Sequence, residues 1–145
     1  MPETRRIIDL EADMEKVWST ICNPSILGGC IPGCERVEEI NEFESKWFTK
    51  MRVGVISKHT DFSVHLEKLK PHLIFTFNSQ DGMIRGRGEV SIAPSDEHRT
   101  KLDFRVDISA GGQFKWIVEQ MINNQMDRFS NEFSKCMMEK LQSSK

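Results

Sequence analysis

Three cysteines lie close together, Cys22, Cys30 and Cys34, and three thiolates could hold zinc or iron. Seven and then three residues separate them and no histidine is nearby, which is not the spacing of a zinc knuckle. Small buried side chains and one turn cysteine account for them better, so no metal and no cofactor is expected. Cys34, in a turn, is a candidate reactive thiol, and Arg36 is the adjacent cation that would favour its thiolate. The N-terminus has only a short apolar run, Ile7-Ile8, broken by Asp9, which is not the h-region of a secretory signal. A cytoplasmic protein with reduced thiols is the expectation.

Two further clusters invite chemistry. His59, Asp61 and His65 share one strand face and would suit a ligand set or acid/base work, but they alternate with Phe62, Val64 and Leu66. They therefore belong to the solvated side. Arg85-Gly86-Arg87-Gly88 looks like an arginine-glycine box for RNA, yet it occurs once, inside an alternating strand, in a chain of net charge −2. The same segment lacks the lysine and serine or threonine of a phosphate loop. Nucleic acid is excluded as a partner. The chain has no tyrosine, which removes one common general acid. The last polar residue of interest is Gln125, set in the middle of an apolar helix face. A buried amide needs a partner, either a ligand's carbonyl or hydroxyl, or backbone or water at a helix–sheet seam.

These residues need elements to carry them. A chain of 145 residues with balanced charge and no linker-like stretch reads as one domain over 1–145. Residues 5–10 alternate as a first strand. Asp13 caps a short helix with Met14, Val17, Trp18 and Ile21 on its buried face, and Asn23-Pro24 starts a second that Gly28-Gly29 ends. After the turn Cys30-Ile31-Pro32-Gly33-Cys34 the apolar period changes from 3.6 to 2 and yields six strands, near 37–40, 47–55, 61–67, 73–77, 84–92 and 101–108. From Gly111-Gly112 to Lys140 one long helix of about 40 Å carries Phe114, Val118, Met121, Ile122, Met126, Phe129, Phe133, Cys136 and Met137 on one face.

The order β-α-α-β-β-β-β-β-β-α predicts an α+β fold in which a curved antiparallel seven-stranded sheet wraps around the long C-terminal helix. Twist in such a sheet leaves a cavity beneath the helix. Trp47, Met51, Phe62, Val64, Phe75, Phe77, Ile84 and Phe104 would line it from the sheet, and Met121, Ile122, Gln125 and Phe129 from the helix. Gly86 and Gly88 on the concave face would mark curvature and free space above them.

Along nearly its whole length the chain resembles the carbon monoxide dehydrogenase G-subunit family of the START-like, polyketide-cyclase-like superfamily, whose members share the helix-grip fold. Val17-Trp18, Asn23-Pro24, Ile31-Pro32-Gly33-Cys34, Arg52-Val53-Gly54 with Phe62, Gly86, Gly88, Thr100-Lys101-Leu102 and Gly111-Gly112 carry the resemblance. The turn Pro32, Gly33, Cys34 is its most specific part. The resemblance implies a cavity for a hydrophobic small molecule and a role alongside a molybdenum hydroxylase of the carbon monoxide dehydrogenase kind, in maturation, membrane recruitment or quinone handling. Many members continue past the long helix into a membrane-associating tail; this sequence ends at Lys145, so no anchoring role is expected of it.

The inward list contains no carboxylate, histidine or lysine, which favours binding of a lipid- or quinone-like molecule over catalysis. A cyclase- or hydrolase-like enzyme is the alternative, and inward-facing Arg85, Arg87 or Glu89 would favour it. A filled interface would leave an interaction module instead. No segment reaches the ~20 apolar residues of a transmembrane helix. Trp116, on the outer face of the long helix, would mark a partner contact or a homodimer.

Overall fold

A computed structural model describes the backbone of residues 3–53, 56–112 and 115–142, with side chains except at 51–53, 56–58, 117, 118, 121, 122, 125 and 142. The elements are β1 (Glu3–Leu10), α1 (Met14–Ile21), α2 (Pro24–Gly29), β2 (Cys34–Glu39), β3 (Glu44–Val53), β4 (Ile56–Leu69), β5 (His72–Ser79), β6 (Ile84–Asp96), β7 (Arg99–Ala110) and α3 (Lys115–Gln142). The strands form one antiparallel sheet in the order β1-β7-β6-β5-β4-β3-β2. This is the expected helix-grip arrangement.

The caps explain where the short helices start. Asp13 accepts the Lys16 amide at 2.9 Å and Asn23 accepts the Ser25 amide at 3.0 Å, with Pro24 pre-set for the first helical position. Val17 and Ile21 are fully buried, but Trp18, expected inside, is only half-buried and packs on the edge of the core. Gly33 is held with φ 86° against β3: a side chain there would meet the Lys50 carbonyl at 2.7 Å, and the Lys50 amide donates to Gly33 O at 2.8 Å. The proline-glycine-cysteine turn thus clamps the start of β2 to the body of β3.

Alternation sets which residues meet the helix. On β1, Ile8 and Leu10 are buried while Ile7 is 53 % exposed. Directly paired residues share a face, so Trp47 with Phe62, Val64 with Phe77, Phe75 with Gly88 and Val90 with Phe104 all point inward. Arg85, Arg87 and Glu89 lie on the other face, where Glu89 approaches Arg87 at 4.0 Å and His72 at 3.5 Å. His59, Asp61 and His65 are on that outer face as well, His59 lying 3.4 Å from Glu35.

The helix α3 packs on β1, β7 and α1. Phe133 meets Phe104 with ring centres 4.5 Å apart, the hydroxyls of Thr4 and Ser130 bond one another, and Met137 and Leu141 are fully buried. One tie corrects the sequence reading. Cys30, at the C-cap of α2, is disulfide-bonded to Cys136 on α3, with Cα atoms 5.4 Å apart. The expectation of four reduced thiols rested on the character of the N-terminus, and nothing local shows that two cysteines 106 positions apart meet where α2 docks on the long helix.

Candidate functional site

The two ends of the helix–sheet interface are buried to different depths. At the end formed by the β4–β5 and β6–β7 turns, Leu10, Val17, Ile21, Leu27, Leu73 and Leu102 have almost no exposure. At the opposite end, where β5 stops at Ser79 and β6 begins at Ile84, five apolar residues face inward but are only half-buried: Phe62, Phe77, Ile84, Ile108 and Phe129. Their rings are ordered by contact. Phe62 stands edge-on to Phe77 at 5.8 Å, Phe77 stacks on Phe75 at 6.2 Å, Phe75 meets Trp47 at 6.2 Å, and Phe129 lies parallel to Phe133 at 6.3 Å. An apolar surface that faces inward yet stays partly uncovered is what a site for an apolar molecule offers.

Of the residues expected to line a cavity, Trp47, Val64, Phe75 and Phe104 are buried in the core between the two ends, whereas Phe62, Phe77, Ile84 and Phe129 form the half-open end. The side chains of Met51, Met121, Ile122 and Gln125 lie outside the described residues. The expectation for the strand glycines needs correction. No free space stands above them: a Cβ on Gly86 would run into the ring of Phe77, and one on Gly88 into the ring of Phe75. Each glycine makes room for the phenylalanine directly across the ladder, which lets the ring lie flat on the sheet.

Among the described residues the polar groups at this end are few, and they include the half-buried Glu119 carboxylate of α3, which accepts the Ala110 amide at 3.3 Å. Thr49 Oγ1 donates to Thr60 O at 2.7 Å. Ser79 Oγ donates to Asp81 Oδ1 at 2.6 Å and accepts the Ile84 amide at 2.9 Å. Deeper in the core, away from this end, Trp47 Nε1 donates to Ser45 Oγ at 2.9 Å. Thr60 and Ser79 were missed by sequence reading. Both were within its reach, because Thr60 stands two positions before Phe62 and Ser79 two positions after Phe77, and each shares the face of that ring.

The turn residues Pro32, Gly33 and Cys34 lie beside α2 at the edge of the sheet, with Cys34 directly across the β2–β3 ladder from Thr49. The Cys34 thiol is half-buried and donates to Arg36 O at 3.6 Å, and burial pushes its pKa up. The Arg36 guanidinium lies over the Phe48 ring at 4.1 Å instead of beside the sulfur. Cys34 is therefore a protonated thiol at neutral pH and not the reactive group its exposed turn suggested. Burial likewise raises the pKa of Cys22. Among the described residues no three side chains of His, Cys, Asp or Glu gather as a metal site would require. Nor is any described helix long and apolar enough to cross a membrane.

Comparison with known proteins agrees with this architecture. The family described as the carbon monoxide dehydrogenase G-subunit (CoxG) matches residues 8–142. No curated protein sequence matches the chain. Among solved structures, a conserved protein of Geobacillus kaustophilus is 23 % identical, with TM-score 0.79 over 98 % of this chain and 96 % of that one. A START superfamily protein of Mycobacterium smegmatis superposes with TM-score 0.77 at 8 % identity, covering 99 % of each chain. The Zhui aromatase/cyclase of a Streptomyces species does so with TM-score 0.73 at 12 % identity, over 97 % of this chain and 93 % of that one. At these identities the likeness is one of fold.

Proposed function

The chain belongs to the carbon monoxide dehydrogenase G-subunit family, and from that premise we propose that it binds a small hydrophobic molecule, lipid- or quinone-like, at the half-open end of the helix–sheet interface. The observation that carries this reading is the set of inward-facing but half-buried rings, Phe62, Phe77 and Phe129, with Ile84 and Ile108 beside them. Met51, Met121, Ile122 and Gln125 would complete the wall. The described inward side chains of this end include no histidine or lysine, and the half-buried Glu119 carboxylate is engaged by the Ala110 amide at 3.3 Å, which supports holding a molecule over acid/base chemistry on it. By its family the protein would work beside a molybdenum hydroxylase of the carbon monoxide dehydrogenase type, delivering or receiving the molecule. Trp116, 67 % exposed at the start of α3, is where that enzyme or a second copy of this chain would dock. The whole chain would act as one domain.

Native mass spectrometry of protein purified without detergent, followed by organic extraction, tests the reading. A bound neutral apolar molecule, lost in Phe129→Asp and kept in the outer-face variant His65→Ala, is the expected result. An empty protein that takes up no added naphthalene derivative would sink the ligand-binding reading.

A further inference from the structure

Two buried side-chain hydroxyls, Thr60 Oγ1 and Ser134 Oγ, lack a hydrogen-bond partner among the described residues. Ser134 sits within α3, where a serine can turn its hydroxyl back onto the carbonyls of its own helix. Thr60 is on a strand and has no such recourse. It is 7 % exposed, as is Thr49 directly across the β3–β4 ladder, and the two point to the same concave face. The Thr49 hydroxyl is satisfied by the Thr60 carbonyl, whereas the Thr60 hydroxyl is left over. On the other side of β4, pairing with β5 ends at Phe62 with Ser79, so Thr60 lies beyond the last rung, two positions along the same face from Phe62, whose half-buried ring meets that of Phe77. A buried hydroxyl without a partner is costly in apolar surroundings, and a ligand that supplies one gains what the empty site lacks.

We propose that the Thr60 hydroxyl is the polar anchor of this site and donates a hydrogen bond to the carbonyl oxygen of a neutral, ring-bearing ligand. The inference rests on the binding reading above and specifies its chemistry. A hydroxyl has one proton to give and no charge, which suits a carbonyl and gives no counter-ion to a carboxylate or phosphate. The Asp81 carboxyl, bonded to Ser79 at the same end, disfavours anions further. Flat rings stacked or edge-on along the wall, Phe62, Phe77 and Phe129, favour a planar partner over a bare chain.

A matched pair of probes tests this: 2-acetylnaphthalene and 2-ethylnaphthalene have nearly the same shape and differ in one carbonyl. By isothermal titration the wild-type protein should bind the ketone about tenfold more tightly than the hydrocarbon. Thr60→Val should erase that preference by weakening the ketone alone, and Thr60→Ser should keep it. Thr60→Val should melt no lower than wild type, because it replaces an unpartnered hydroxyl by a methyl of the same size. Equal binding of the two probes by wild type, or a loss in Thr60→Val shared by both probes, overturns the anchor while leaving the cavity in place. Failure of wild type to bind either probe overturns both readings.

Discussion

Leu102 and Ile108 stand six positions apart on one strand, both facing the long helix, and their surroundings differ. Leu102 is wholly enclosed, with Ile8 and Ile92 on its flanking strands and the short helices closing that end. Ile108, paired with Gly86, keeps part of its surface uncovered. The difference extends across the interface. One end spends its apolar surface on stability, at about 1.5–3 kcal/mol for each fully buried aliphatic side chain, and the other leaves such surface available. The short helices make the distinction, since α1 packs against β6 and β7 while α2 packs against β2, and the disulfide from α2 fixes the C-terminal half of α3.

Paired truncations would break the comparison most directly. Leu102→Ala should cost about 3 kcal/mol and Ile108→Ala no more than about half of that, read from urea unfolding midpoints. Equal costs would mean that the two ends are packed alike. Next in size, Cys136→Ser should lower stability by about 2–4 kcal/mol, because the bond closes a loop of 106 residues in the unfolded chain. Wild type under reducing conditions should match that variant, and an unchanged midpoint on reduction would remove the disulfide from the account of the closed end. The smallest effect belongs to a feature common to both ends, the outer-face pair of Arg5 and Asp103 at 2.8 Å. Hydrogen bonding from Arg5 holds the Asp103 carboxyl below its ordinary range. Since the folded value lies below the unfolded one, the pair stabilises the fold above the ordinary carboxylate pKa, and that contribution disappears as pH falls through the lowered value. Asp103→Asn should therefore flatten slightly the acid limb of a stability–pH curve. The change is small because both side chains are partly in water.

How much of this was legible beforehand depends on the range of the cause. Local signals were read correctly: Asp13 and Asn23 as caps, the glycine turn before β2, and the alternation that turns Phe75 in and Arg87 out. These depend on neighbours a few residues away. Three features depended on distant neighbours and were misread. Trp18 sits at an edge that its helix pattern cannot locate, Gly86 and Gly88 are occupied by rings from another strand, and Cys30 finds its partner on the last helix. The depth of burial along one strand is of the same kind. Leu102 and Ile108 have the same parity, and only the placement of the helices tells them apart.

The strand order also constrains the time course of folding. Every rung from β2 to β7 joins neighbours in the chain, so six strands can assemble by successive hairpins as they emerge. β1 is the exception, because its only ladder is with β7, Glu3 lying opposite Asp107. During synthesis the first strand made has to wait, unpaired, until the last strand has left the ribosome. Its outward residues Glu3, Arg5 and Asp9 carry charge in that interval, which keeps an unpaired edge from finding the wrong partner.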